Sequence, residues 1–260
     1  MLVLIRGAGD LASGVALRLF RANFQIIMTE IDRPTSIRRT VSFSEAVRHG
    51  QACVEGVTAV LADGSETARE IAASGKIAVL VDPAASCISS MRPDAVVDAI
   101  LAKRNLGTTI HDAPIVIGVG PGFTAGVDCH AAVETMRGHY LGRVLYEGSP
   151  IPNTNIPGLI GGYAGERVLR APADGAFVPC RSIGDRVRAG EIAATVAGEP
   201  MLCTIDGILR GILPEGTQVF KGMKSGDIDP RCEPDHCLCA SDKALAIGGG
   251  VLEAILHFMR

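Results

Sequence analysis

The stretch Leu2-Val-Leu-Ile-Arg-Gly-Ala-Gly-Asp-Leu-Ala12 decides which fold to expect from this sequence. Four apolar residues before Arg6 predict a short buried strand. The glycines that follow fit the pattern G-x-G-x-x-A, which places a tight turn between a strand and the amino end of a helix. Apolar residues at helical spacing continue to Arg21. The stretch therefore predicts a strand–turn–helix unit of the kind that binds dinucleotides.

Further short apolar runs follow along the first half of the chain, and a helix is predicted to begin at Ser65. The runs are Phe24–Glu30, Ile77–Val81, Ala95–Leu101 and Ile115–Val119. Strands that alternate with helical stretches pair in parallel and form a doubly wound sheet. We therefore expect an α/β fold with a Rossmann-like parallel sheet.

An internal repeat follows a segment rich in glycine and proline. Asp-Gly turns occur at Asp174 and again at Asp206, 32 residues later. Other positions recur at the same spacing: Gly184, Val187 and Gly190 match Gly216, Val219 and Gly222. Two halves made of short strands must pack against each other to bury their apolar faces. The repeat predicts a small β domain that resembles the barrel-sandwich fold of lipoyl and biotinyl carrier domains.

Carrier domains expose a modified lysine on the hairpin between their halves, but the equivalent stretch Ala197–Met201 contains no lysine. The sequence therefore argues against a carrier role and predicts the fold alone. Ser241 and Asp242 are suited to cap a final helix that reaches Phe258. The glycines Gly248–Gly250 inside that helix predict that a backbone or a ligand approaches closely there. The expected organisation is a Rossmann-like nucleotide-binding region (1–147), a linker (148–165), the barrel-sandwich-like domain (166–230) and a C-terminal segment with a helix packing back (231–260).

Composition narrows the classes of function. The formal net charge of −3 leaves no basic excess for nucleic-acid binding. The longest relevant uncharged stretch, Ala113–Val127, is broken by prolines and glycines and is too short to span a bilayer. The eight cysteines show no disulfide framework and are expected to be reduced thiols. We expect a cytoplasmic protein that binds neither nucleic acid nor membrane and is able to form a homo-oligomer.

The glycine turn is the first candidate site. Gly7 would permit the turn, and Gly9 would let a phosphate approach the amides at the helix amino end near Ala12. Glu30 ends the second predicted strand, where an acceptor for a ribose hydroxyl is expected. Asp10 would repel a phosphate unless it points away or caps the helix. The alternative is that the glycines serve only close packing of helix and strand.

A second glycine loop, Gly118–Gly126, follows a predicted strand and could form an anion-binding nest from its free amides. Its candidate binding residues are Gly120, Gly122 and Thr124. Because loops at the carboxyl ends of parallel strands meet at one edge, we expect this loop and the glycine turn to face one pocket. Asn105, in the loop Lys103–Thr109, and Arg38 are further candidates for binding an anion. Structural turns and solvated surface charge are the alternatives.

Two polar clusters near the end of the chain have plainer explanations. Asp227 and Asp229 could hold Mg²⁺ with waters, but a turn with an ion pair is favoured. Cys232, Cys237 and Cys239 lack a standard zinc spacing, which favours free thiols over a metal site. No metal ligand and no catalytic residue is assigned.

Seven stretches together resemble a known family, the accessory proteins of YqeB type in selenium-dependent molybdenum hydroxylase systems. They are Arg6–Gly14, Ile37–Ala46, Ala102–Thr109, Gly120–Gly126, Pro152–Gly158, Gly226–Arg231 and Ala246–Glu253. These stretches run through nearly the whole chain. The cysteine cluster between Cys232 and Cys239 is not part of the family pattern.

The resemblance implies a maturation factor for molybdenum hydroxylases, whose partners would be the hydroxylase or its maturation machinery. Such a protein would bind a dinucleotide-like ligand, such as NAD(P) or molybdopterin cytosine dinucleotide, or another form of the molybdenum cofactor. An NAD(P)-dependent oxidoreductase is one alternative, although the sequence lacks a Tyr-x-x-x-Lys pair for proton transfer. A non-catalytic scaffold for the hydroxylase is another. Whether selenium is handled directly is left open.

Overall fold

The computed structural model describes residues 1–154 and 156–259 and divides the chain into two units. The first unit comprises residues 1–34, 42–154 and 240–259, and the second comprises residues 35–41 and 156–239. Asn155, within the stretch Pro152–Gly158 that carries part of the resemblance, lies outside the described residues. None of the helices in the described part of the chain has both the length and the apolar character needed to cross a membrane.

The described residues of the first unit form one nine-stranded sheet with helices packed against it. Its strands are β1 (Leu2–Arg6), β2 (Gln25–Glu30), β3 (Gln51–Val54), β4 (Val57–Ala62), β5 (Ile77–Val81), β6 (Ala95–Asp98), β7 (Ile115–Val119), β8 (Ala131–Val133) and β9 (Val144–Leu145). Its helices are α1 (Asp10–Arg21), α2 (Ala46–His49), α3 (Ser65–Ala73), α4 (Ile88–Met91) and α5 (Asp242–Phe258). The strand order is β3-β4-β5-β2-β1-β6-β7-β8-β9.

Two layers of apolar side chains cover the central strands of this sheet. Leu2 and Leu4 of β1 belong to a core cluster with Ala68 and Ala72 of α3, whereas the residues of α1 lie outside that cluster. Side chains alternate between the two faces of a strand, so Val3 and Ile5 face the other way. The buried strands are almost wholly apolar, which is typical of strands covered on both faces.

Helices α1 and α5 pack closely because the residues where they meet have small side chains or none. A Cβ atom added at Gly14 would lie 2.5 Å from the Cβ atom of Ala244. A Cβ atom at Gly250 would lie 2.2 Å from the carbonyl oxygen of Gly142. The close backbone approach expected from Gly248–Gly250 is therefore confirmed. Ser241 caps α5, and its Oγ accepts a hydrogen bond from the amide of Ala244.

The second unit contains two four-stranded antiparallel sheets within the described residues. Its strands are β10 (Val168–Arg170), β11 (Gly175–Pro179), β12 (Arg186–Val187), β13 (Ile192–Val196), β14 (Glu199–Leu202), β15 (Gly207–Ile212), β16 (Gln218–Val219) and β17 (Lys224–Asp229). The sheet orders are β10-β17-β15-β12 and β14-β13-β11-β16.

The 32-residue repeat is present in this arrangement. Strands β11, β12 and β13 begin 32 residues before β15, β16 and β17, respectively. Each half pairs its first and third strands with each other, and its short middle strand pairs with the first strand of the other half. Phe177 and Leu209, at equivalent positions of the two halves, are both fully buried in the core between the sheets.

The fold class expected from the sequence is wrong. The large sheet is mixed, because β3 and β9 pair antiparallel with their neighbours at its two ends. The described connections from β6 to β7 and from β7 to β8 contain no helix, so the strand–helix alternation of a doubly wound sheet breaks down there. Glycines and prolines in those connections disfavour helix. The second unit is also not a separate carrier-type module, because it includes residues 35–41 from the early part of the chain.

Candidate functional site at the carboxyl edge of the sheet

The glycine turn joins β1 to α1 at the carboxyl edge of the sheet. Gly7 has a φ angle of +93°, which L-residues with side chains rarely adopt. A Cβ atom there would lie 3.0 Å from the carbonyl oxygen of Ala99 and 3.1 Å from the Cα atom of Ile100. Gly7 therefore serves both the turn and the close passage of the chain after β6.

The amino end of α1 has no side-chain cap. Gly9 is its N-cap residue, with φ −67° and ψ −178°, and it has no side chain to accept from the first amides. The amides of Leu11 and Ala12 precede the first hydrogen bond of the helix, which runs from Ser13 N to Gly9 O at 2.8 Å. A helix amino end of this kind presents amide donors at the positive end of the helix dipole and so suits an anion.

The carboxylate of Glu30 is tied to the glycine turn. Its Oε2 accepts from the amide of Ala8 at 3.0 Å, and its Oε1 accepts from the amide of Ile31 at 2.8 Å. Burial raises the pKa of Glu30 above its ordinary value, and the two amide hydrogen bonds offset only part of that rise. Glu30 thus holds the turn in place, and its use as a ribose acceptor stays a prediction.

A buried ionic network beside the turn was missed by the sequence reasoning. Arg6 and Asp98, at the ends of β1 and β6, are 4% and 2% exposed and form an ion pair of 3.3 Å. Thr108 joins them, since its hydroxyl donates to Asp98 Oδ2 at 2.6 Å and accepts from Arg6. Arg6 also donates to the carbonyl of Leu106 at 3.2 Å. The sequence feature that could have revealed the network is Arg6, a charged residue at the end of the otherwise apolar strand β1.

Asn105 shapes the loop that this network anchors. Its side-chain oxygen accepts from the amide of Thr108 at 2.8 Å, and its side-chain nitrogen donates to the carbonyl of Thr108 at 2.7 Å. These bonds bend the loop Lys103–Thr109 and leave the side chain of Arg104 exposed at the edge of the sheet. The structure therefore gives Asn105 a role in positioning the loop, and its binding of a ligand stays a prediction.

The second glycine loop uses its glycines for packing. A Cβ atom at Gly122 would lie 2.6 Å from the Cα atom of Arg104, and one at Gly120 would lie 2.9 Å from the hydroxyl oxygen of Thr135. Several amides of the loop already have partners: Gly120 N donates to Val133 O, and Thr124 N donates to Asp128 Oδ2. The packing alternative thus has direct structural support, while anion binding by this loop stays a prediction.

The two glycine loops lie at the same edge of the sheet with one segment between them. Residues 99–104 contact the position of Gly7 at one end and that of Gly122 at the other. The loops are therefore connected through this segment. The structure brings Gly7, Glu30, Asn105 and Gly122 to one edge of the first unit.

Arg38 belongs to the second unit, unlike the other candidate binding residues. It is 6% exposed, and its Nη2 donates to the carbonyls of His236 and Cys239 at 2.9 Å and 3.2 Å. These bonds hold the segment around Cys237, whose thiol has a pKa raised by burial. Arg38 thus has a structural role in its own unit.

Asp227 and Asp229 are partners of arginines. Asp227 pairs with Arg167 and accepts from Arg210 Nε at 2.8 Å, and Asp229 accepts from Arg231 Nη2 at 2.6 Å. The ion pairs of the favoured alternative are therefore present, but both carboxylates lie in strand β17 and not in a turn. Across residues 1–154 and 156–259, no three His, Cys, Asp or Glu side chains are grouped so as to hold a metal ion.

Comparison with known proteins gives one strong sequence match, and no family model matches the chain. Over 258 residues the chain is 52% identical to the uncharacterized protein YqeB of Escherichia coli (strain K12). The alignment covers 99% of this chain and 48% of YqeB, so the chain spans about half the length of the curated relative that it matches.

Two solved structures show only remote likeness. One is an aspartoacylase family protein from Mesorhizobium loti, with 12% identity and a TM-score of 0.29. The other is a succinylglutamate desuccinylase/aspartoacylase from Rhodobacter sphaeroides, with 17% identity and a TM-score of 0.28. Each alignment covers 87% of this chain and 84% of the other. TM-scores this low do not establish a shared fold.

Proposed function

Because the chain matches YqeB along almost its whole length, we propose that it is an accessory protein for the maturation of selenium-dependent molybdenum hydroxylases. The proposal includes binding of a dinucleotide-like ligand, or of the molybdenum cofactor, at the glycine turn. The hydroxylase or its maturation machinery is the proposed partner, and the cytoplasm is the proposed location. The family resemblance supplies the biological role, and the glycine turn supports the ligand class.

The observation that carries the ligand proposal is the amino end of α1. Gly9 provides no side-chain cap for the amides of Leu11 and Ala12, and a phosphate oxygen can accept from amides in that position. The exposed side chain of Arg104 adds positive charge in a loop at the same edge of the sheet. The amides and Arg104 suit a phosphate group, whereas Asp10, in the first turn of α1, adds a negative charge at the same helix end. The ligand, when bound, would supply any group-transfer or redox chemistry.

The direct test is the substitution Gly9→Val. A side chain at position 9 would occupy the space where a phosphate meets the amides, and the negative φ of −67° allows valine without backbone strain. Calorimetric titration with NAD, CTP and molybdopterin cytosine dinucleotide is expected to show binding by the wild type and loss of at least about tenfold in affinity for Gly9→Val, or about 1.4 kcal/mol. Native mass spectrometry of the purified protein identifies any ligand already bound.

Gly64→Val is the matched control. Gly64 is the N-cap residue of α3, has an extended backbone, and has open space where a Cβ atom would lie. This variant is expected to keep the wild-type affinity. Unchanged binding by a folded Gly9→Val protein would contradict the proposal, because the glycines would then serve packing alone. Tight binding of NAD with hydride transfer would instead favour the oxidoreductase alternative.

A further inference from the structure

The outward side of α5 carries a row of apolar residues, which we call the α5 stripe. Its members are Leu245, Gly249, Leu252, Leu256 and Met259, the last of which directly follows the helix. Alternating steps of four and three residues place all five on one face of a helix. Leu256 and Met259 are 52% and 49% exposed, and the other three are half-buried. The fully buried residues of α5 lie outside the stripe. The stripe is therefore an apolar helix face that the described residues leave partly open to solvent.

Gly249 is the one glycine of Gly248–Gly250 whose place the packing of the described residues does not explain. A Cβ atom at Gly248 would lie 2.8 Å from the carbonyl oxygen of Gly14, and one at Gly250 would lie 2.2 Å from that of Gly142. At Gly249 a Cβ atom would meet open space. Glycine inside a helix is destabilising, so Gly249 lowers the stability of α5 without a packing gain among the described residues. A backbone that approaches from another molecule would supply the missing neighbour.

The spacing of the α5 stripe is typical of a helix that packs along a second helix. Apolar residues at steps of four and three form the seam between the helices of a coiled coil. Small residues in such a contact let the two backbones approach closely, as Gly14 and Ala244 do where α1 meets α5. The gap at Gly249, with Leu245 and Leu252 on either side, therefore suits a helix as its occupant.

Side chains of opposite charge border the α5 stripe. Glu253 follows Leu252 and Gly248 precedes Gly249, so a turn of about 100° per residue places them on opposite sides of the stripe. Glu253 is exposed. Beside Gly248 lies Arg18 of α1, since a Cβ atom at Gly248 would lie 2.8 Å from its Cγ atom. One border of the stripe is therefore negative and the other is positive.

The guanidinium of Arg18 is available at its border. Its Nε donates to the carbonyl of Leu245 at 3.3 Å, and its terminal nitrogens make no hydrogen bond or ion pair with the described residues. Glu55, whose charge interacts with that of Arg18, is paired with Arg21 at 2.8 Å. When two α5 helices lie side by side and parallel, a twofold axis between them brings the negative border of each copy to the positive border of the other. Charges arranged in this way favour a second copy as the occupant, in the parallel orientation.

We propose that a second copy of this chain packs on the α5 stripe, with the two α5 helices parallel and closest at Gly249. Leu252 and Leu256 of each copy then pack against the same residues of the other. Because both copies use the same surface, the contact closes after two copies and the product is a dimer. One helix face covers less area than a standard interface, about 800 Å² per partner, so we expect association in the micromolar range.

The test is sedimentation equilibrium of the full chain from about 1 to about 100 µM, which measures the dissociation constant of the dimer. Leu256→Ser removes an exposed side chain of the stripe and is expected to weaken association at least about tenfold. Leu202→Ser is the matched control, because Leu202 is 47% exposed but lies in β14 of the second unit. The control is expected to keep the wild-type dissociation constant.

Gly249→Ala separates docking from helix stability. The alanine is expected to raise the melting temperature of the monomer, because it favours helix, and to weaken the dimer at least about threefold, because its methyl group fills the gap. Glu253→Lys is expected to weaken the dimer at least about twofold at low salt, because it places like charges at the border with Arg18.

Four results would overturn the proposal. They are a monomer throughout the concentration range, equal weakening by Leu256→Ser and Leu202→Ser, and association as tight as that of the wild type for Gly249→Ala or for Glu253→Lys. A wild-type chain that stays monomeric but binds Escherichia coli YqeB through Leu256 would assign the stripe to a different partner, which also overturns the proposal.

Discussion

The two units of this protein bury charge in different ways. In the second unit the carboxylates of Asp227 and Asp229 lie in strand β17, and arginine side chains surround them. Asp227 pairs with Arg167 and Arg210, while Asp229 pairs with Arg210 and Arg231. The network ties β17 to Arg210 of β15, to Arg167 just before β10 and to Arg231 just after β17.

In the first unit the corresponding network is smaller and anchors a loop. Arg6 pairs with Asp98 alone, and the remaining contacts come from the hydroxyl of Thr108 and the carbonyl of Leu106. One donor of Arg6 is left without a partner among the described residues. The comparison teaches that a buried arginine anchors a single loop when most of its partners come from one short segment, here residues 106–108. A carboxylate engaged by several guanidinium groups marks a structural core.

The largest expected effect is that of Asp227→Asn. Removing this charge leaves Arg167 buried without a carboxylate partner and leaves Arg210 with Asp229 alone. Breaking a buried ion pair from one side typically costs about 3–5 kcal/mol. Urea unfolding, with hydrogen exchange resolved by segment, measures the loss in the second unit. Glu215→Gln, at an exposed position, is the control and is expected to change stability by less than about 0.5 kcal/mol. Equal effects of the two substitutions would contradict a structural role for the network.

A smaller and more local effect is expected for Thr108→Val. The substitution removes the hydroxyl between Arg6 and Asp98 and leaves buried groups without a partner, at a cost of about 1–3 kcal/mol. Hydrogen exchange is expected to speed up in residues 99–109 while the strands of the second unit stay protected. The control is Thr109→Val, because Thr109 is exposed and its hydroxyl donates only to the half-buried Asp112. Should both variants speed exchange equally, the network would not be what anchors the loop.

A pH-dependent effect is expected from Asp229. Burial raises its pKa, but the hydrogen bonds of Arg231 and the charges of Arg210 and Arg231 outweigh burial and hold that pKa well below the usual range. Because the folded-state pKa is lower than the unfolded value, about 3.9, the pair stabilises the protein above that pH and loses its contribution as the pH falls further. Acid unfolding between about pH 6 and about pH 2 is expected to be less steep for Asp229→Asn than for the wild type or Glu215→Gln. A slope equal to that of the wild type would rule out this linkage.

The smallest expected effect concerns two neighbouring glycines of α5, one with open space beside it and one in close contact with the backbone of Gly142. Gly249 has open space where a Cβ atom would lie, so Gly249→Ala is expected to stabilise the helix by about 0.5–1 kcal/mol. The neighbouring Gly250→Ala is expected to destabilise the protein, because its Cβ atom would lie 2.2 Å from the carbonyl oxygen of Gly142. Thermal melts of the pair measure the difference. Stabilisation by both alanines would show that the close approach is not maintained in solution.

Local features with a short-range cause could be predicted from the sequence. The glycine turn after Arg6, the capping of α5 by Ser241 and the 32-residue repeat each depend on residues close together in the chain. The Asp-Gly turns recur because the same turn geometry is needed in both halves. The antiparallel pairing of β3 with β4 is also local, because the two-residue turn Glu55-Gly56, with positive φ at both residues, joins the strands. The antiparallel pairing of β9 with β8 was not predictable in this way, because ten residues separate the two strands.

The sequence by itself determined where turns form and which helices need small residues, since these follow from backbone sterics and from the spacing of glycines. Only the tertiary structure decided what the polar residues do. Glu30 holds the amide of Ala8, Arg38 holds a segment of the second unit, and Arg6 reaches Thr108, 102 residues away in the sequence. The physical reason is that the role of a charged or polar group depends on the partners that folding brings to it. Those partners come from distant parts of the chain, where sequence spacing carries no information about contact.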